Sequence, residues 1–217
     1  MIPKIIHQIV GPKVNESIQT CLDSWKCMQE EGFQIWKWDD DTLEEFLRDQ
    51  YQYALPSFLN ARNYAEAADI ARYLLIYQFG GVYVDWDIEL LIPEKFISLL
   101  ESHENGYLLI DSKNDSIAPE HFCAQTKDPY LRSLVSDIIN IYNSGERDNL
   151  STVDYSGPFR MRDSLKIHKN TRMEFVKVKD VFAFDYEEIR STSSPQTTAP
   201  MIHYWMHSWM ALSSTAQ

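Results

Sequence analysis

Asp85, Asp87 and Glu89 alternate along the chain directly after Val82-Tyr83-Val84, and a double glycine, Gly80-Gly81, stands just before them. In a continuing strand, side chains two apart share a face, so these three carboxylates would crowd and repel one another. A cation among them relieves that repulsion, and a hard divalent ion with oxygen ligands is the natural candidate. An Asp-x-Asp pair alone occurs in loops by chance. Here it follows a strand, at the carboxyl end where ligands bind in open α/β sheets. An ion held by two or three carboxylates keeps open positions for water or phosphate oxygens, so Mn2+ or Mg2+ bridging a diphosphate is the expected chemistry. Such an ion also lets an acidic protein hold an acidic ligand.

Two further constellations carry chemistry. Asp69 and Arg72 lie three apart on a helix and share a face. On an open surface such a pair is worth little. Its neighbours Ala65 and Ala68 are small and the helix is otherwise strongly apolar, so the pair is expected to point into a cleft. Near the far end, His203 and His207 are four apart, a spacing that puts both on one side of a helix or of a strand. They could share a metal, or one could join the aspartates. Tyr204 and Trp205 between them exclude the HExxH zinc pattern. With Ser208 and Trp209 they form an aromatic, hydrogen-bonding tail that could close over a ligand and exclude water. Trp205 and Trp209 read equally well as core residues or as faces for a sugar ring.

The elements that must position these groups follow from periodicity. Ile2–Val10 reads as a buried strand, closed by Gly11-Pro12. Ser17–Gln29 carries Ile18, Cys21, Leu22, Trp25 and Met28 in a helical stripe that stops at Gly32. Phe33–Trp38 alternates as a second strand. Strand, helix, strand is the opening of an α/β architecture. Helices are expected over Asp41–Asp49, Tyr64–Phe79 and Tyr130–Tyr142, and strands over Val82–Val84, Tyr107–Ile110 and Phe175–Val178. In a continuing third strand Glu89 would join Asp85 and Asp87. Asp111–Pro119 and Ser191–Pro200 are polar and read as loops, the second a mobile one.

Composition sets the outer bounds. The 217 residues suit one domain spanning 1–217, and 44% apolar against 24% charged residues excludes a disordered chain. A net charge of −12 argues against a partner that is DNA or RNA, because that association rests on a basic surface. Cys21, Cys27 and Cys123 are odd in number and lack CxxC spacing, which suits reduced thiols in a cytoplasmic compartment. The apolar opening is far shorter than the ~20 residues of a spanning helix, so neither an anchor nor a leader is read there.

Taken together, these pieces resemble glycosyltransferase family 32, a group that includes bacterial capsule and lipopolysaccharide sugar transferases and fungal mannosyltransferases, with distant kinship to glucosylating clostridial toxins. The resemblance rests on Ile2-Pro3-Lys4-Ile5-Ile6-His7-Gln8-Ile9, on Ala68-Asp69-Ile70-Ala71-Arg72-Tyr73 with Gly80-Gly81-Val82-Tyr83-Val84-Asp85-Trp86-Asp87, and on His203 with Ser208-Trp209. It implies a GT-A type α/β fold, a Rossmann-like nucleotide-binding mixed sheet flanked by helices. It also implies metal-dependent transfer of a hexose or N-acetylhexosamine from a nucleotide sugar, with retention of configuration.

Carried over by position, His7, Gln8 and Ile9 would lie beside the nucleobase, while Asp69 and Arg72 would hold the donor sugar and its phosphate. Tyr83 and Trp86 would line the donor site, Asp85 would meet ribose or metal, and Asp87 would be the main metal ligand. His203 or His207 would complete the metal shell or meet the diphosphate, and Ser208 and Trp209 would cap it. The catalytic set is then Asp69, Arg72, Asp85 and Asp87. Where the family commonly has Trp after His-Gln-Ile this chain has Val10, Ala68 stands where Ser is common, and Trp86 is bulkier than the usual middle residue.

Retention needs either a carboxylate nucleophile, for which Asp69 and Glu89 qualify by charge, or attack from the face of departure, with the leaving phosphate taking the acceptor's proton. The second route is the preferred expectation. UDP-linked donors are favoured and GDP-mannose is kept open. The acceptor is expected to be a glycan or lipid-linked oligosaccharide of bacterial surface polysaccharide synthesis, met by loops such as Asp111–Pro119 and Tyr155–Pro158. That expectation puts the enzyme in the cytoplasm, in peripheral contact with the inner face of the plasma membrane. Two rivals stand beside it: a catalytically silent module that binds nucleotide sugars or glycans, and a metal-dependent phosphohydrolase. Phosphatases that use Asp-x-Asp want Thr or Val where this chain has Glu89.

Overall fold

The opening strand–helix–strand unit forms where the apolar pattern puts it. In the computed structural model, which describes residues 1–191 and 197–206, it comprises β1 (Ile5–Ile9), α1 (Glu16–Ser24) and β2 (Gln34–Trp38). Asn15 caps α1 by accepting the Ile18 N–H at 2.9 Å, and beyond Ser24 the chain tightens into a 3-10 helix over Trp25–Gln29. Helices α2 (Asp40–Gln50) and α3 (Leu55–Leu59) follow, α2 opening on a reciprocal cap between Asp39 and Thr42.

Helix α4 (Tyr64–Phe79) and strand β3 (Gly81–Val84) are joined by the double glycine. Both glycines take positive φ, 65° and 96°. A Cβ on Gly81 would stand 2.4 Å from the Ile5 carbonyl oxygen. Only glycine lets the chain leave the helix and run at once against β1.

The remaining elements are β4 (Ile88–Leu90), α5 (Pro93–Ser102), β5 (Gly106–Asp111), β6 (Ser116–Ala124), α6 (Pro129–Asn143), α7 (Thr152–Tyr155), α8 (Pro158–His168), β7 (Glu174–Lys177), α9 (Val178–Val181), α10 (Tyr186–Ser191) and β8 (Met201–His203). Six strands form one mixed sheet in the order β2-β1-β3-β6-β5-β7, in which β6 alone runs against the others. One face packs on α2, α4, α6 and α8 through residues such as Phe46, Leu75, Tyr130 and Leu134; the other packs on Trp25, Phe96, Val181 and Phe182. With helices on both faces and the strands largely parallel, this is the expected Rossmann-like arrangement.

One reading is corrected. Asp111–Pro119 is not one loop: β5 runs through Asp111 and β6 begins at Ser116, so Ile117 and Ala118 pair with Ile110 and Leu109. Pro119 obscured the strand, because proline withholds a ladder donor and sits near the bulge between Leu108 and Leu109. The third strand does not continue into Glu89. It ends at Val84, Asp85-Trp86-Asp87 turns, and Glu89 belongs to β4, which pairs antiparallel with β8 in a separate two-stranded sheet.

Candidate active site

Asp69 and Arg72 project from the middle of α4, on the side where Ala65 and Ala68 leave room, into a cleft of about 820 Å3. Arg72 reaches Asp69 at 3.4 Å and Asp85 at 3.3 Å, donates to the Pro119 carbonyl oxygen at 2.9 Å, and lies 4.6 Å from the Tyr83 ring centre. Asp69 accepts the Ser156 hydroxyl at 2.7 Å, and the Ser156 carbonyl in turn accepts Tyr73 O–H. Tyr83 donates its hydroxyl to Asp85 at 2.6 Å. One guanidinium faces two carboxylates, Asp69 buried and Asp85 partly exposed. Burial therefore wins over its attraction and raises both Asp69 and Asp85 to about 6, while the two acids push Arg72 above its ordinary value.

The turn after β3 and the strand β8 supply the second half of the site. Pairing of Ile88 with His203 brings the β8 histidine beside the Asp-x-Asp turn. Asp85, Asp87 and His203 each offer a ligand atom, all within 4.8 Å of one another. His203 Nε2 stands 3.4 Å from Asp87 and its Nδ1 3.7 Å from Glu120. The chain beyond β8 wraps onto the same aspartate: Tyr204 N–H donates to the Asp87 carbonyl oxygen and Met206 N–H to its carboxylate at 2.8 Å. Burial opposes charge on His203, but Asp87 and Glu120 overcome it and raise the imidazole to about 10; burial also opposes charge on Asp87, which His203 and the Met206 N–H hold low.

This donor set suits a hard or borderline divalent cation. Two carboxylates and one imidazole meet at one point, and a buried imidazole nitrogen, His203 Nδ1, has no hydrogen-bond partner. Oxygen-rich ligands with a single nitrogen fit Mn2+ well and Mg2+ acceptably. Among the described residues this is the group of acids, histidines and cysteines that could hold a metal.

Other residues expected at the site fall in different places. Ile9, Tyr83 and Trp86 line the cleft, Trp86 packing over Gly11. His7 and Gln8 do not line it; both are fully buried in the sheet. Trp38 Nε1–H donates to His7 Nδ1 at 3.2 Å, and His7 donates from Nε2 to the Gly80 carbonyl at 3.1 Å, which fixes a neutral tautomer and ties the ring to the glycine turn. Neither amide atom of Gln8 has a hydrogen-bond partner. Glu89 is also absent from the cleft lining; it accepts the Tyr204 hydroxyl instead. His207, Ser208 and Trp209 lie outside the described residues. Trp205 lines the cleft and lies against His203, with ring centres 4.2 Å apart.

The sequence reading did not foresee Glu120 or Ser156 as site residues. Ser156 sits inside a segment read as an acceptor loop, whereas Glu120 follows Pro119 in a stretch that looked like a plain loop and carried no signal.

The chain is similar to known glycosyltransferases in sequence and in fold. Residues 15–105 match the model of the glycosyltransferase sugar-binding region containing the DXD motif. Inositol phosphoceramide mannosyltransferase 1 of Schizosaccharomyces pombe is 24% identical over 143 residues, 63% of this chain and 43% of the relative. Mannosyl phosphorylinositol ceramide synthase SUR1 of Saccharomyces cerevisiae is 34% identical over 92 residues, 40% of this chain and 23% of the relative. An uncharacterized glycosyltransferase, L373, of Acanthamoeba polyphaga mimivirus is 36% identical over 95 residues, 41% of this chain and 36% of the relative. The chain thus spans less than half the length of these curated relatives. In fold it is similar to the PaToxG glycosyltransferase, with a TM-score of 0.55 at 18% identity over 76% of this chain and 69% of that one. The matched stretch runs from α1 to just short of β5 and contains α4, the double glycine and the Asp-x-Asp turn, so the likeness to the DXD-containing glycosyltransferase sugar-binding region covers the part of the chain that carries most of the site.

Proposed function

We propose that this protein is a cation-dependent, retaining glycosyltransferase that moves a hexosyl or N-acetylhexosaminyl group from a nucleoside diphosphate sugar to a hydroxyl acceptor. The observation that carries the reading is the meeting of Asp85, Asp87 and His203 within 4.8 Å at the cleft, beside a guanidinium held by Asp69, Asp85, the Pro119 carbonyl and the Tyr83 ring. A divalent ion held there supplies positive charge to the departing diphosphate. Arg72 adds a preorganised charge that cannot deprotonate and does not reorient during the reaction. Asp69, with one oxygen toward Arg72 and the other toward Ser156, is held rigid to accept hydroxyls of the donor sugar. Glu89 is out of the cleft and is dropped as a nucleophile; Asp69 lines the cleft but has both oxygens engaged, by Arg72 and Ser156, and is assigned to binding, so attack from the face of departure is kept as the route.

The donor side of the cleft is assigned to Ile9, Tyr83 and Trp86, and the acceptor side to the β5–β6 turn and the segment around Gly157-Pro158, both of which line it. The names of the two yeast relatives favour a mannosyl group and a lipid-borne head-group acceptor over a capsular glycan. Among the described residues no helix is long and apolar enough to cross a membrane; reaching such an acceptor from the cytoplasm by peripheral contact is part of the same proposal.

The test is a panel of UDP-sugars and GDP-mannose with Mn2+, read by thermal shift and by release of nucleoside diphosphate. One donor with Mn2+ is expected to raise Tm more than either component alone, and to be turned over. Asp87→Ala abolishes both effects. Binding without turnover identifies a silent module, and equal stabilisation by every nucleotide with or without metal overturns the reading.

A further inference from the structure

We infer that Glu120 is a positioning residue that turns His203 toward the cation, an assignment that rests on Asp85, Asp87 and His203 being the cation ligands. The His203 ring lies against Trp205, with centres 4.2 Å apart, and contacts Phe182 at 5.6 Å. A ring confined between aromatic neighbours keeps one main freedom, the flip about its Cβ–Cγ bond. Flipping exchanges each nitrogen for a carbon edge, so one orientation ligates and the other does not.

Glu120 breaks that degeneracy. Its carboxylate stands 3.7 Å from His203 Nδ1, on the side of the ring away from Asp87, and Nδ1 is buried with no other partner. An ordinary N–H···O bond is about 2.9 Å, so roughly 0.8 Å of motion closes the gap. With Nδ1–H donating to Glu120, Nε2 is the nitrogen left on the Asp87 side, where a bound cation would take the place of its proton. Carboxylates behind ligating histidines fix the tautomer and the ring in this way.

The same residue also sets the other side of the site. The Glu120 backbone carbonyl accepts Asp85 N–H at 2.9 Å. Glu120 therefore ties together two ligands from elements far apart in sequence, through its main chain to the turn after β3 and through its side chain to β8. It can do so because β6 runs antiparallel to β3, placing His121 opposite Val84 and Glu120 beside the turn.

The experiment measures Mn2+ binding to the full chain by the loss of free-ion electron paramagnetic resonance signal, with 14N modulation reporting a coordinated imidazole. Wild-type protein is expected to bind Mn2+ with one such modulation. Glu120→Ala weakens binding by about 10–100-fold and diminishes the modulation, with folding checked by circular dichroism. Glu120→Gln, which removes the charge but keeps a carbonyl acceptor for Nδ1–H, recovers most of both. Wild-type affinity and modulation in Glu120→Ala overturn the inference. So does Glu120→Gln behaving like Glu120→Ala, which would make the effect one of charge alone. Absence of Mn2+ binding in wild type, or undiminished binding in Asp87→Ala, fails the underlying site reading instead and takes this inference with it.

Discussion

Arg72 and Asp85 come from different elements, the middle of α4 and the turn after β3, and meet at 3.3 Å with the arginine side chain 6% exposed. Because Asp69 shares the same guanidinium, removing the arginine leaves the buried Asp69 and the partly exposed Asp85 without a counter-charge. Arg72→Met is expected to cost about 3–5 kcal/mol in urea unfolding near neutral pH. Arg72→Lys recovers only part of this, since an ammonium cannot fork between two acids and a carbonyl. Wild-type stability in Arg72→Met would show that the pair is not a structural counter-ion.

Ser156→Ala removes a buried hydroxyl donated to a carboxylate at 2.7 Å while sparing the Ser156 carbonyl that receives Tyr73 O–H. The expected loss is roughly 2 kcal/mol, the range for a hydrogen bond to a charged group. Donor turnover should fall too, because Asp69 loses one of its two anchors. A variant as stable and as active as wild type would contradict this.

His7 and His121 make the fold acid-sensitive. His7 Nδ1 faces the indole N–H of Trp38, a donor only, so that ring is satisfied only when neutral. His121 pairs with the Tyr107 hydroxyl at 2.6 Å and donates from Nδ1 to the Tyr83 carbonyl at 2.9 Å, and it is its complete burial that opposes charge. Burial lowers both from 6.5 to about 4. The unfolded chain therefore takes up protons first as pH falls: the stabilisation is complete above pH 6.5 and declines as pH approaches 4. A drop from 6.5 to about 4 corresponds to roughly 3 kcal/mol per histidine. Asp69 and Asp85, raised from 3.8 to about 6, act in the opposite sense over the same range, because there the folded chain takes up protons first. The histidine contribution is therefore read as a difference: the stability of wild type relative to His121→Gln, from urea midpoints at pH 7.5 to 4.5, should decline as pH falls. A difference that does not change with pH would rule out the neutral assignment.

Gly81→Ala puts a methyl 2.4 Å from the Ile5 carbonyl oxygen at a φ of 96°. Backbone strain of this kind costs of order 1–3 kcal/mol, and the clash adds to it by pushing β3 off β1. A lowered urea midpoint is expected, with weaker Mn2+ binding because Asp85 and Asp87 hang from the end of β3. Unchanged unfolding would mean that the turn tolerates a side chain.

Local pattern made much of this molecule legible. The apolar runs of β1 and β2, the stripe of α1, and α4 with its glycine stop were readable because each element announces itself within its own residues. The Ala65/Ala68 gap also located Asp69 and Arg72 on the cleft. The two-stranded sheet of β4 and β8 was not legible: each strand has three residues, and their pairing joins segments that carry no mutual signal. That pairing is what separates Glu89 from Asp85 and Asp87. His7 and Gln8 look like ligand groups in sequence, yet strand alternation inside a sheet covered on both faces buries them. Glu120 needed the antiparallel register of β6, which Pro119 hid.

The Asp87 carboxylate and the Met206 amide that it accepts are 119 positions apart in the chain. Closing so long a loop is entropically costly and comes late in folding. A chain emerging from the ribosome would therefore have its sheet core in place before it could hold a cation. Competence for chemistry would arrive as a separate event, when β8 docks, and a protein clipped between α10 and β8 would keep its six-stranded sheet yet lack the His203 ligand.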